Sequence, residues 1–196
     1  MAVFRLRAEG FTLIELLLVV ALTTVLVGIA VPVGGAAIDD LRTAAAARYL
    51  AGRIAASRMD AISRSRAVAL RFQPSLPDYQ FGAFVDGNGN GVRSTDIVAG
   101  VDAPVGSPRR LSDDFSNVHF GLEIGMPDVD GVRNASADGV RIGTPRILTV
   151  SPDGTASSGT LYLQGRRAQY AVRVLGATGR TRVLKYDTGA RTWIAR

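Results

Sequence analysis

The sequence predicts an α+β fold in which one long helix at the start of the chain leads into an antiparallel β-rich domain. Three observations predict it: an apolar run over residues 11–31, a helical stripe of apolar positions over residues 34–66, and a change to period-two alternation from residue 67.

The apolar run is 21 residues long, close to the ~20 a helix needs to cross the hydrocarbon of a bilayer. Leu, Val and Ile dominate it, and no polar face recurs every 3.6 residues, so lipid or protein must surround it on all sides. The basic leader with Arg5 and Arg7 is expected to stay in the cytoplasm and the residues beyond position 33 to lie outside. Ordinary signal peptidase acting near "VGGAA" would instead release a free protein starting near residue 37. Pro32 and the helix-prone sequence that follows argue against that cleavage.

The stretch "AAIDDLRTAAAARYLAGRIAASRMDAISRSRAVAL" reads as a continuation of the same helix, with Asp39 and Asp40 near its upstream end. Ala47, Leu50, Ile54, Ala61 and Val68 recur at threes, fours and sevens, which makes one face apolar. Arg42, Arg48, Arg53, Arg58 and Arg64 fall largely off that face. Beyond it, "AVALRF", "YQFGAFV", "NVHFGLEI", "RILTV", "TLYLQG", "QYAVRVL", "RTRVLKYD" and "RTWIA" are short, β-branched or aromatic, and separated by Gly, Pro, Asn and Asp. "ATGR" and "YDTGAR" predict hairpin turns between the last three strands.

The chain has no cysteine, so disulfides, thiolate metal sites and a cysteine nucleophile are excluded. Its net charge of +6 is unevenly spread. Residues 39–72 carry seven Arg against three Asp, residues 78–160 six Arg against eleven acids, and residues 161–196 seven Arg and one Lys against Asp187 alone. The last segment would attract phosphate or acidic surfaces. No enzyme and no cofactor is expected: His119 is the single histidine, and the glycines at 87, 89 and 91 lack the spacing of a nucleotide loop.

Glu15 is out of place. It is the only formal charge between Gly10 and Asp39, and an isolated carboxylate in hydrocarbon is expensive unless it is paired or protonated. Cleavage after Gly10 would create a cationic amino group on Phe11, four residues away in the same apolar layer. The same pair could form between two helices lying side by side, which would set their axial register.

"G-FTLIE" behind a short basic leader resembles the type IV prepilin processing site. The resemblance implies that a membrane prepilin peptidase cuts the Gly10–Phe11 bond and methylates the amino group of Phe11. It also implies that Glu15 is the assembly glutamate and that Pro32 kinks the helix, giving a pilin-like architecture. "FVDGNGNGVRSTDIVAG", "VSPDGTASSGTLYL" and "GATGRTRVL" resemble segments of the GspH/FimT group of minor pseudopilins and minor pilins. The expected organisation is a leader at 1–10, a transmembrane and filament-core helix at 11–33, its amphipathic half at 34–66, and a periplasmic β-rich domain at 67–196. The implied partners are other pilins or pseudopilins, the prepilin peptidase and methyltransferase, and an assembly platform in the inner membrane.

Three further motifs stand out in the sequence. Asp86, Asn88 and Asn90 occupy positions 1, 3 and 5 of an EF-hand-like loop with Gly91 sixth, but position 12 is Ile97 and no helix is expected to follow, so a loop joining two strands is preferred to a calcium site. "GRTR" places Arg180 and Arg182 on one face of a strand, about 7 Å apart, a spacing similar to that of neighbouring phosphates. It matches the Gly-Arg-x-Arg motif of DNA-binding FimT-type minor pilins, which makes DNA the alternative partner. "NAS" at 134–136 fits a glycosylation acceptor.

Overall fold

The computed structural model describes residues 10–76 and 78–196, without the side chains of 29–34. The expected leader therefore lies outside the described residues except for Gly10. The chain divides into two units, Met1–Ile38 and Asp39–Arg196.

Helix α1, Leu13–Arg64, contributes to both units. In the first, its described side chains are exposed all round: Leu13, Ile14, Leu16, Leu17, Leu18, Val19, Val20, Leu22, Val25, Leu26 and Val27 each keep more than half of their surface open. Among the described residues no helix is long and apolar enough to cross a membrane. The apolar stretch with described side chains, 13–28, has 16 residues, fewer than the ~20 a span needs. The expected span at 11–33 also takes in 29–33, whose side chains are outside the described ones. The helix runs through Pro32, whose side chain, and with it the expected kink, lies outside the described residues.

In the second unit, residues 39–64 of α1 bury Ala44, Ala46, Ala47, Leu50, Ile54 and Ala61 against the sheets. The helix ends sooner than the apolar periodicity implies. Ser65 adopts a left-handed φ of 51°, its N–H donates to Ile62 O, and the Arg66 N–H donates back to Ala61 O. That pair of bonds is a Schellman closure. Val68, expected on the helical stripe, instead opens strand β1, Val68–Ser75.

The remaining elements are β2 (Asp78–Val85), α2 (Ser94–Val98), β3 (Ala103–Arg110), α3 (Leu111–Asp114), β4 (His119–Phe120), β5 (Val140–Arg141), β6 (Ile147–Val150), β7 (Gly159–Gln164), β8 (Gln169–Leu175), β9 (Arg180–Asp187) and β10 (Thr192–Ala195). They form two antiparallel sheets, β3-β2-β1-β6 and β10-β9-β8-β7-β4, with β5 also paired to β7. Leu70 and Phe72 of β1, Leu161 and Leu163 of β7, and Tyr170, Val172 and Val174 of β8 share one core with the helix. The fold is thus a helix packed on antiparallel sheets. Phe120 links the two sheets: its ring meets Phe72 edge-on at 5.6 Å and Phe81 at 6.0 Å, and its N–H donates to Asp78 at 2.9 Å.

Three strand or loop expectations need correction. "NVHFGLEI" supplies only the two residues of β4, because segment 137–141 takes over the pairing with β7. Gly121 N–H donates to Tyr162 O while Tyr162 N–H donates to Gly139 O, so β4 and β5 share one flank of β7. A Cβ on Gly139 would fall on the Gly121 nitrogen, which explains glycine there. Strand β3, "APVGSPRR", is not among the expected strands; it carries two prolines, and at a sheet edge proline loses no ladder bond. Finally, a short helix, α2, does follow the Gly/Asn loop.

Candidate assembly site at Glu15

Thr12 and Glu15 form a reciprocal cap at the start of α1. The Thr12 N–H and hydroxyl donate to Glu15 Oε2 at 3.0 and 2.9 Å, and the Glu15 N–H donates to Thr12 Oγ1 at 3.3 Å. This is a T-x-x-E capping box, which satisfies donors that the first helical turn leaves open. It was legible in "TLIE" and gives the carboxylate a local task besides the one expected of it. Among the described residues Oε1 has no hydrogen-bond partner, so one oxygen remains for a cation. Phe11 sits beside this turn, 88% exposed, and neither Gly10 nor Phe11 takes part in the cap. Removing everything up to Gly10 would leave the cap intact.

A second carboxylate, Asp39, organises the other unit. It is only 6% exposed, and it accepts backbone N–H bonds from Arg166, Arg167 and Ala168 at 2.9, 2.8 and 3.1 Å. Burial pushes its carboxyl up, but these three donors and the Arg166 charge outweigh burial and hold it below the usual range. Gly165 lets the loop come this close, since a Cβ there would fall on Thr43 Oγ1. Next to it, Asp40 accepts from Tyr170 Oη at 3.1 Å and pairs with Lys185 Nζ at 2.7 Å. Helix and six-stranded sheet are therefore joined by two adjacent acids. Read as sequence, they were only favourable charges near the helix start.

Arg180 and Arg182 are both exposed, on the face of β9 turned away from the helix. Arg182 is directly opposite Arg173 of β8, and Arg173 is tied to Asp130 at 2.7 Å. Arg141 on the same face is tied to Asp128 at 3.2 Å. The four side chains of these two pairs line a shallow cavity of about 520 Å³. Among the described residues Arg180 and Arg182 make no ion pair, so the motif's positive charge is available while that of its neighbours is compensated. The motif's glycine has a structural duty: Gly179 has φ 60°, and a Cβ there would fall on the Gly154 carbonyl and press on Arg58.

The Gly/Asn loop turns the Asp86 carboxylate onto its own backbone. Asp86 is buried, and its carboxylate accepts from the backbone N–H groups of Asn88, Gly89 and Gly91 at 3.1, 2.8 and 2.8 Å. Asn88 and Asn90 turn their amide nitrogens to Asp96 at 3.3 and 3.0 Å. Among the described residues no group of acids and histidines is placed to hold a metal ion. Asn134 is 6% exposed, and its amide donates to the carbonyls of Leu122 and Ser136, so the glycosylation motif is engaged inside the fold.

Residues 5–31 match the prokaryotic N-terminal methylation motif. The match covers Gly10, Phe11, Thr12 and Glu15 and ends one residue before Pro32. No curated protein and no solved structure matches the chain. The methylation motif supports a type IV pilin-like subunit, anchored in a membrane through this segment. It implies processing by a prepilin peptidase and assembly with other pilins.

Proposed function

We propose that this chain is a minor pseudopilin of a type II secretion system, of the GspH/FimT kind. In this reading the Gly10–Phe11 bond is cut and Phe11 is N-methylated. The subunit then waits in the inner membrane with residues beyond about 33 in the periplasm, and the apolar helix moves into the core of a fibre whose growth pushes folded proteins outwards. The observation that carries the reading is a helix apolar on every side with one carboxylate, Glu15, at its capped start. Lipid would cover that surface before assembly and neighbouring helices after it, with close packing supplying most of the association energy. Mass spectrometry of native material tests this: a chain beginning at N-methylated Phe11 is expected. A start near residue 37, or a retained leader, would refute it.

A second reading, a FimT-like minor pilin that binds DNA during uptake, is favoured by the two uncompensated arginines on β9. It predicts that the full chain in neutral detergent retards duplex DNA at low salt. The double change Arg180→Gln and Arg182→Gln should abolish the shift, any residual binding of the variant having a salt slope smaller by about two counterions than that of the original chain. No shift at low salt would retire this alternative and leave the secretion reading standing.

A further inference from the structure

The sheet edges of unit 39–196 are not treated alike. Strand β3 carries Pro104 and Pro108 and an irregular register against β2. Beside β6, the Ser157 N–H donates to Thr149 O at 2.8 Å and Val150 bridges Ala156. On the flank formed by β4 and β5, the N–H groups of Phe120 and Val140 are taken by the carboxylates of Asp78 and Asp138, each at 2.9 Å. These are the usual ways of closing an edge.

Strand β10 has none of them. Its sequence is Thr-Trp-Ile-Ala, without proline, bulge or charge. The Arg196 N–H donates to Val183 O at 3.0 Å. By antiparallel alternation Thr192 and Ile194 also face β9, while the N–H and C=O groups of Trp193 and Ala195 point outwards. No hydrogen bond among the described residues satisfies these outward N–H groups. The strand is also held in place: Trp193 Nε1 donates to Pro127 O at 2.9 Å, and its ring lies between Tyr162 and Tyr186, 5.6 and 5.3 Å away. Two exposed arginines, Arg191 and Arg196, bracket it, and neither makes an ion pair among the described residues.

We infer that β10 is a docking edge for an extended segment of a partner protein, with β-branched residues at alternate positions and acidic residues at both ends. The arginines decide the occupant. A second copy of β10 pairing antiparallel would bring further arginines and no acid to the ends of the strand pair, whereas an acid-flanked strand meets opposite charge at both ends. The rigid Trp193 anchor means that little ordering is left for the moment of binding. The inference rests on the edge geometry and does not depend on the fibre reading.

The test uses the full chain in neutral detergent and the peptide Glu-Glu-Thr-Ile-Thr-Val-Glu-Glu. Amide exchange at Trp193 and Ala195 should slow by about tenfold or more, because both N–H groups enter a ladder. Fluorescence of the single tryptophan, Trp193, should titrate with it. The same peptide with lysine in place of every glutamate should bind about tenfold more weakly. Ala195→Pro removes an outward N–H without touching the β9 pairing and should abolish binding. Continued protection of the Arg196 amide reports that the hairpin is intact. The double change Arg191→Glu and Arg196→Glu should reverse the preference between the two peptides. No slowing at Trp193 and Ala195, equal binding of both peptides, or binding indifferent to the charge reversal would each overturn the inference.

Discussion

Changing Asp39 to asparagine is expected to lower the stability of residues 39–196 by about 3 kcal/mol, the scale for losing charge-assisted bonds at a buried acceptor. The carboxylate receives three backbone N–H bonds from residues 166–168. An asparagine of the same shape has one acceptor oxygen and presents an NH2 to donors, so a buried N–H is left unpaired. Urea unfolding of the full chain in detergent, followed through Trp193, measures the loss as a lower midpoint at unchanged slope. An unaltered midpoint would show that the contact contributes nothing to stability.

The pH dependence is an independent check on the same bond set. The folded carboxyl of Asp39 is held below its ordinary value of 3.8. A group depressed in the folded state contributes stability that is fully present above the unfolded value and is lost as pH falls through the folded one. The gap between the original chain and Asp39→Asn should therefore stay constant from neutral pH to about 5 and shrink below about 4. A gap that widened on acidification would contradict the assignment.

Neither acid could have been singled out from the sequence, because Asp39 and its three donors are more than 120 residues apart. What was legible is local. The change of period at residue 67, the Thr-Gly turns before β9 and after it, and the apolar face of residues 47–61 are each set by neighbours in the chain. Where neighbours and tertiary structure disagree, the tertiary structure wins. Proline hid β3, whose edge position makes proline harmless. Alternation in "NVHFGLEI" promised a longer strand than the crossing at Gly139 allows. The triplet at Asn134 fits a glycosylation acceptor, but in the fold its amide is spent on two carbonyls. In the candidate site, the carboxylate at 15 stands out as a lone charge, while its threonine partner three residues upstream is signalled only by the T-x-x-E spacing.

That threonine determines how the assembly role of Glu15 has to be tested. A change to alanine would remove the charge and the helix cap together, and a defect would not say which was needed. Glutamine separates them, because at this position it completes a capping box as glutamate does, with its amide oxygen accepting from Thr12. Glu15→Gln should therefore keep the helix start, and cleavage after Gly10 should proceed. If the carboxylate meets the terminal amine of a neighbouring subunit, glutamine leaves that cation unpaired in an apolar layer. Incorporation into fibres, measured against the processed pool in the membrane, should then fall on the order of a hundredfold. Alanine should then do no worse than glutamine beyond the smaller effect of the lost cap. Normal incorporation of the glutamine variant, with loss only for alanine, would reduce Glu15 to a helix cap and remove the electrostatic basis for register in the fibre.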